Sequence, residues 1–323
     1  MATIKDVAAA AGVSVSTASR ALNDNPRIST ATVAKVKAAA AQLNYQPNRL
    51  ARTLSTGEAR MVGAIFPVTG ETAPANPFQL DIIRGANSLL ADRDYVLATA
   101  ICQDEESLLH NVRAMVEQAK IHNFLVLYTK QADPVTAYLR KTGQNFVIIG
   151  QPAEEEDRYI NNDNVLAGQK ATHHLCADHR VHQPVLIRSA NGWAYELDRE
   201  RGFRAELAQY GRVPLVFQLT VDEPAAFFAA HPEVDGLLAT DDISMLTFFN
   251  QLGSAQLRAP LTWPAVCFNR SRLLSLASPQ VDKVDMLPRQ LGAKAVDLLF
   301  DRKRTHQLVG FKILEADEAE SLA

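Results

Sequence analysis

Apolar residues along this chain follow two different periods. Up to about residue 45 they recur at helical spacing in short stretches. Ile4, Val7 and Ala8 share one face; Ala18, Ala21 and Leu22 share another; Val33, Val36 and Leu43 a third. Punctuation separates the three. Thr3 with Asp6 forms a capping-box pattern before the first helix, and Gly12 ends it. Ser14 caps a second helix over Val15–Asn23. Ser29 caps a third, with Ile28 and Val33 spaced as a hydrophobic staple. A helix, a glycine turn and a second short helix make a helix-turn-helix, whose second helix enters the major groove of DNA.

Beyond residue 60 the pattern changes to compact apolar runs rich in β-formers. They lie at Met61–Pro67, Tyr95–Ile101, Phe124–Thr129, Phe146–Gly150, Pro184–Arg188, Pro214–Leu219, Gly236–Ala239 and Trp263–Phe268. Helical stretches fall between most of them: Asp81–Arg93, Glu105–Ile121, Val165–Asp178, Glu196–Tyr210 and Ile243–Leu252. Continuous apolar strands alternating with helices indicate parallel sheets covered on both faces. About 260 residues exceeds one ordinary domain, so two doubly wound parallel-sheet subdomains are expected. The expected division is a head over 1–46, a linker over 47–60 and a body over 61–323. Within the body, about 61–160 plus 290–315 form one subdomain, and about 161–289 plus the carboxyl end form the other. Crossovers are expected near 160 and 289, with the strand-like Phe311–Leu314 close to the end. Ligands in open α/β sheets bind at the carboxyl ends of strands, which here means the cleft between the subdomains.

Charge sharpens the split between head and body. Residues 1–60 carry eight Lys or Arg against three acidic residues, a net +5, in a chain of net −3; the remainder is therefore −8. A localised basic end suits phosphate contacts, and an acidic body limits nonspecific adhesion to DNA. No stretch approaches 18 consecutive apolar residues and no signal peptide precedes the basic head, so a cytoplasmic protein with no membrane partner is expected. Cys102, Cys176 and Cys267 are odd in number and far apart, which fits a reducing compartment. There is no GxGxxG after the first strand, no Walker GK[ST], no GxSxG and no HExxH, so no enzyme and no cofactor are expected. The run His173–His182 places His173 and Cys176 on one helical face. It is read as a solvated polar helix end and not as a metal site.

The segment Ile4–Asn23 closely resembles the head of the lactose-repressor (LacI/GalR) family of bacterial transcription regulators. The likeness continues through Leu43-Asn44-Tyr45-Gln46-Pro47-Asn48-Arg49-Leu50-Ala51-Arg52-Thr53-Leu54. The resemblance implies an all-α helix-turn-helix head followed by a periplasmic-binding-protein-like α/β body. It places Val15, Ser16 and Arg20 against base edges, with Arg20 able to pair bidentately with guanine. Ser14, Thr17 and Ser19 are candidate phosphate donors, and Ala18, where relatives usually carry Val, is read as core. Pro47 breaks the third helix, because the residue before proline leaves the helical region. Asn48 to Ser55 then form a hinge helix too short to be stable alone. The resemblance makes it fold only when paired with its dimer mate on operator DNA, with Leu54 wedged into the minor groove.

The same resemblance marks a ligand set. Asn76-Pro77-Phe78-Gln79 precedes a helix read as ending in Arg84-Gly85, with Gln79 where relatives often show Phe. Asp163 sits at the first crossover, Arg201 precedes Gly202-Phe203, and Asp241 follows a strand end. Thr240 and Asn269 replace the Asn and Asp of many relatives. Carboxylates, amides and a guanidinium suit vicinal hydroxyls, and Phe78, Trp193, Tyr195 and Phe268 suit the apolar face of a pyranose. The segments around Asn76–Gly85 and Asn161–Asn164 look most like the maltose/maltodextrin-responsive branch. A carbohydrate or sugar phosphate is therefore expected to switch a homodimer, acting as a repressor, on and off a pseudo-palindromic operator. No heptad tail for tetramerisation is visible. The alternatives are a sugar-binding protein or enzyme on the same body, or a regulator with a non-sugar effector such as a nucleobase.

Overall fold

The computed structural model describes residues 2–23, 25–45, 59–68, 77–128, 130–277 and 280–316. The chain falls into two units, Met1–Arg60 and Met61–Ala323.

In the first unit three helices run over Ile4–Ala11 (α1), Val15–Leu22 (α2) and Thr30–Gln42 (α3). The Asp6 carboxylate accepts from the Thr3 backbone N–H and hydroxyl, both at 2.8 Å, and these bonds hold it below the usual carboxylate range. Gly12 closes α1 in the left-handed conformation at φ 62°, where a side chain would be strained. Ser14 and Ser29 accept the N–H groups of Thr17 and Thr32 as helix caps. Val7, Ala8, Ala11, Ala18, Ala21, Val36, Ala39 and Ala40 form a small core, with Ile28 and Val33 packed beside it. Leu43 does not join it and is exposed: α3 ends at Gln42, and Leu43 is its C-cap residue.

The second unit contains two six-stranded sheets. Strands β1 (Met61–Ile65), β2 (Val96–Ala100), β3 (Asn123–Val126), β4 (Asn145–Ile149), β5 (Tyr159–Asn162) and β11 (His306–Val309) form the first, in the order β11-β5-β4-β3-β1-β2, all parallel. Strands β6 (Pro184–Arg188), β7 (Leu215–Gln218), β8 (Gly236–Ala239), β9 (Ala265–Phe268), β10 (Asp282–Asp285) and β12 (Lys312–Leu314) form the second, in the order β12-β10-β9-β8-β6-β7; only β12 is antiparallel. Alternate residues of one strand enter different cores. In β3, Phe124 and Val126 face one apolar cluster and Leu125 the other; in β8, Leu237 and Ala239 oppose Leu238. That two-sided burial is why these strands read as unbroken apolar runs.

The helices over the first sheet are α4 (Pro77–Asp92), α5 (Glu105–Glu117), α6 (Pro134–Lys141) and α12 (Pro288–Phe300). Those over the second are α7 (Asn164–His173), α8 (Ala194–Gln209), α9 (Pro224–Ala230), α10 (Asp242–Ser254) and α11 (Arg272–Ala277). Arg84-Gly85 does not end α4. A Cβ at Gly85 would come within 1.9 Å of the Arg289 carbonyl oxygen, and one at Gly292 within 1.9 Å of that of Ile82. The glycine thus serves close helix packing inside α4.

The chain crosses between lobes three times, after β5, after β10 and between β11 and β12. The first two lie close to the expected positions, but the third corrects the expected boundary. Residues 312–314 pair with β10 in the second sheet and not within a 290–315 segment of the first lobe. One side chain ties all three crossings: Asn162 Nδ2 faces the carbonyl oxygens of Met286 (3.1 Å), Val309 (2.9 Å) and Gly310 (3.1 Å). Among the described residues no helix is long and apolar enough to cross a membrane, and the three cysteines are free thiols.

Candidate ligand cavity and nucleic-acid interface

A cavity of about 490 Å³ opens between the two lobes, within the range of roughly 300–1,000 Å³ typical of small-molecule sites. Its walls are the carboxyl ends of the strands and the loops that follow them. The first lobe supplies Phe66, Pro67, Gln79, Leu80, Ile101, Leu127, Tyr128, Ile149, Gly150, Gln151 and Asn161. The second supplies Asn164, Ser189, Asn191, Trp193, Ala194, Tyr195, Asp198, Asp241, Ile243 and Ser244. No Lys, Arg or His is among these lining residues, and Asp198 and Asp241 are the only charged ones.

The second-lobe wall is held by a buried polar frame. Glu196, fully buried, accepts from the Ser189 N–H (2.8 Å) and hydroxyl (2.7 Å), the Trp193 N–H (3.1 Å) and the Thr240 hydroxyl (3.0 Å). One carboxylate thereby fixes the β6–α8 loop against the end of β8. Asp241 caps α10 by accepting the Ser244 N–H at 2.7 Å, and its other oxygen accepts the Tyr195 hydroxyl at 2.9 Å. Burial, with Asp241 alongside, raises the Tyr195 phenol well above its usual value, so it stays a hydroxyl donor. Behind them Arg199 is buried. Its Nε donates to Asn164 Oδ1 at 3.0 Å, its Nη1 donates to the Thr240 carbonyl, and its guanidinium lies 4.2 Å from the Phe268 ring centroid and 4.9 Å from that of Tyr195. Burial pulls its pKa down.

The run Asn161–Asn164 divides its labour. Asn161 lines the cavity and accepts from the Asn162 N–H (2.9 Å) and from Asn164 (3.3 Å). Asn162 binds the crossings, Asp163 caps α7 through the Leu166 N–H at 2.9 Å, and Asn164 joins the cavity to Arg199.

In the head, Ser14, Val15, Ser16 and Arg20 are exposed, and Thr17 and Ser19 are partly so, while Ala18 and Ala21 are buried on the opposite face of α2. The Ser14 hydroxyl sits 2.9 Å from that of Ser16 and 2.8 Å from that of Thr17. The side of α2 turned away from the core is thus small, polar and carries one arginine. That composition suits close approach to base edges.

Residues 3–48 match the profile described as "Bacterial regulatory proteins, lacI family". The HTH-type transcriptional regulator MalR of Staphylococcus xylosus is 32% identical over 321 residues, covering 96% of this chain and 94% of that protein. The chain belongs to the lacI family. It is a DNA-binding transcription regulator and not an enzyme. Two solved structures of the family share the fold across 97% of this chain and 98% of theirs. One is a transcriptional regulator CelR–cellobiose complex (TM-score 0.69, 23% identity); the other is the Lac repressor dimer bound to operator and an anti-inducer (TM-score 0.74, 19% identity).

Within this lacI-family body the expected ligand residues separate. Gln79, Trp193 and Asp241 line the cavity, as does Tyr195. Phe78 does not. It packs against apolar clusters of both lobes. Asp163 points away as the α7 cap. Arg201 is 69% exposed and paired with Asp198 at 2.6 Å, because two residues along a helix turn a side chain by roughly 200°. Arg199 takes the inward position. Thr240 and Phe268 are fully buried behind the wall. Asn269 is buried too, in a left-handed conformation at φ 71°, donating to Asp242 Oδ1 at 3.3 Å. Asn48, Leu54 and Asn76 lie outside the described residues. Glu196, Asn164 and Arg199 were missed. A buried acid three residues into a helix reads from sequence as an ordinary capping acid, and only the fold shows that Glu196 also holds Thr240.

The histidine run departs from expectation as well. His174 is buried, not solvated. It lies in a π-helical turn, His174–Asp178, that continues α7.

Proposed function

We propose that this regulator is a cytoplasmic homodimer that represses carbohydrate-utilisation genes from a pseudo-palindromic operator, with its hold on DNA set by a neutral sugar between the lobes. The observation that carries the sugar reading is the cavity lining: two carboxylates, amides and aromatic rings, with no cation among the described lining residues. Carboxylates and amides match vicinal hydroxyls. Asp198 is paired with Arg201 at 2.6 Å, but a phosphate between the lobes would still meet the Asp241 carboxylate with no cation among the described lining residues to receive it, which favours an unphosphorylated sugar over a sugar phosphate. A maltose-type oligosaccharide comes first, supported by the likeness to MalR. Trp193, half-exposed at the rim, offers a stacking face. Asp241 and Asn164 accept and donate to hydroxyls within.

In the head, Arg20 pairs with a guanine edge, Val15 and Ser16 touch neighbouring bases, and Ser14, Thr17 and Ser19 contact phosphates. Asn48 and Leu54 serve the minor-groove hinge of the paired dimer. Sugar changes the angle between lobes about the three crossings that Asn162 binds, and so biases whether both hinges seat together. It shifts the equilibrium only by its differential affinity for the two states. The free thiols and the DNA partner support a cytoplasmic location.

The test is a thermal-shift series on the full chain with maltose, maltotriose, cellobiose, ribose and glucose 6-phosphate. A maltose-type sugar is expected to raise Tm by mass action. A rise with glucose 6-phosphate and none with neutral sugars refutes the reading.

A further inference from the structure

At the amino end of β10, on the side of the second sheet away from the cavity, two imidazoles converge on one carboxylate oxygen. His174 Nε2 lies 2.8 Å and His179 Nε2 2.6 Å from Asp282 Oδ2. Their three donor atoms lie within 4.8 Å of one another. The π-helical turn makes this possible. In an α-helix residues five apart point about 140° from each other. The wider turn closes with the His179 N–H on the His174 carbonyl at 3.2 Å and sets the two rings edge to face, with centroids 4.9 Å apart.

We propose that His174, His179 and Asp282 form a divalent transition-metal site of zinc type. Tetrahedral zinc with N and O ligands places those donors about 3.3 Å apart, so each ring need retreat only about half to three-quarters of an ångström. The outer partner is in place. His174 Nδ1 lies 2.6 Å from Asp178 Oδ2, the carboxylate–histidine–metal arrangement that fixes the tautomer and leaves Nε2 as ligand. An ionised carboxylate only accepts, so without a metal every one of these contacts needs a ring N–H and His174 must carry both protons. A metal ion supplies that positive charge instead. His179 is the open side, with its side chain 35% exposed, which leaves a fourth position for water. Asp282 Oδ1 meanwhile accepts the Ala316 N–H at 2.9 Å, so an ion here would pin α7, β10 and the segment after β12 together.

The experiment is isothermal titration of the full chain with Zn²⁺ in a non-chelating buffer, beside His179→Ala and, as control, His110→Ala at an exposed histidine of α5. One Zn²⁺ per chain is expected, weakened at least about tenfold in His179→Ala and unchanged in His110→Ala. Asp178→Asn should weaken binding by about tenfold through loss of the outer partner. Co²⁺ should give the visible absorption of a tetrahedral site. No saturable uptake, or equal uptake by His179→Ala, overturns the proposal. Because His179 is surface-exposed, circular dichroism of that variant should match the parent.

Discussion

In the first lobe α4 and α12 meet backbone to backbone through Gly85 and Gly292; in the second, α7 and α8 meet through Gly168 and Gly202. A Cβ at Gly202 would stand 2.1 Å from the Val165 carbonyl oxygen, and one at Gly168 2.3 Å from that of Arg199. The same solution appears twice, yet the cavity walls differ. The first lobe offers mainly Phe66, Pro67, Leu80, Ile101, Leu127 and Ile149, whereas the second offers Asn164, Ser189, Asn191, Tyr195, Asp198 and Asp241. The second wall is framed by a buried pair of opposite charge, Glu196 and Arg199, whereas behind the first the buried Asp133 accepts the Tyr128 hydroxyl at 3.1 Å. In this account the second lobe selects the ligand and the first covers its apolar face.

The largest expected effect comes from Arg199→Ala. It leaves Asn164 Oδ1 and the Thr240 carbonyl without their donor and opens a void beside Phe268, at a cost of about 2–5 kcal/mol in stability, checked by urea denaturation. Removing the Asp241 carboxylate with Asp241→Ala should weaken sugar binding by about 1.5–3 kcal/mol, against about 0.5–1.5 kcal/mol for Gln79→Ala on the other wall. Calorimetry with maltose gives both, and a larger loss for Gln79→Ala reverses the assignment of lobes. Gly85→Ala and Gly202→Ala should each cost about 1–3 kcal/mol by forcing a helix pair apart. Melting temperatures that fall for one and hold for the other break the structural equivalence. Smallest is Arg201→Ala, an exposed pair with Asp198, expected at under about 1 kcal/mol with the sugar response intact.

Arg201 and Arg199 also show what the sequence made legible. The capping residues of the head, the apolar strands and the location of a cleft follow from period and punctuation, because they are local. What escaped depends on partners far along the chain. β5, whose second half is Asn161-Asn162, and β10, Asp282-Lys283-Val284-Asp285, look polar, since their side chains are satisfied at the crossings and by His174, His179 and the Ala316 N–H. Asp163 and Asn164 are adjacent, but the helix start turns one out as a cap and the other toward Arg199. The sequence puts His173 and Cys176 on one helical face, whereas the π turn brings His174 and His179 together.

The central claim is that sugar held by the second lobe decides how tightly the head grips DNA. It is tested most directly by fluorescence anisotropy on an operator selected by the protein from a random pool, with and without maltose, for the parent and Asp241→Ala. The account predicts an operator affinity shifted by roughly 5–150-fold on adding sugar to the parent, and little or no shift in the variant, whose sugar-free affinity is unchanged. An operator affinity indifferent to a sugar that calorimetry shows to be bound, or a variant that responds like the parent at the same concentration, contradicts it.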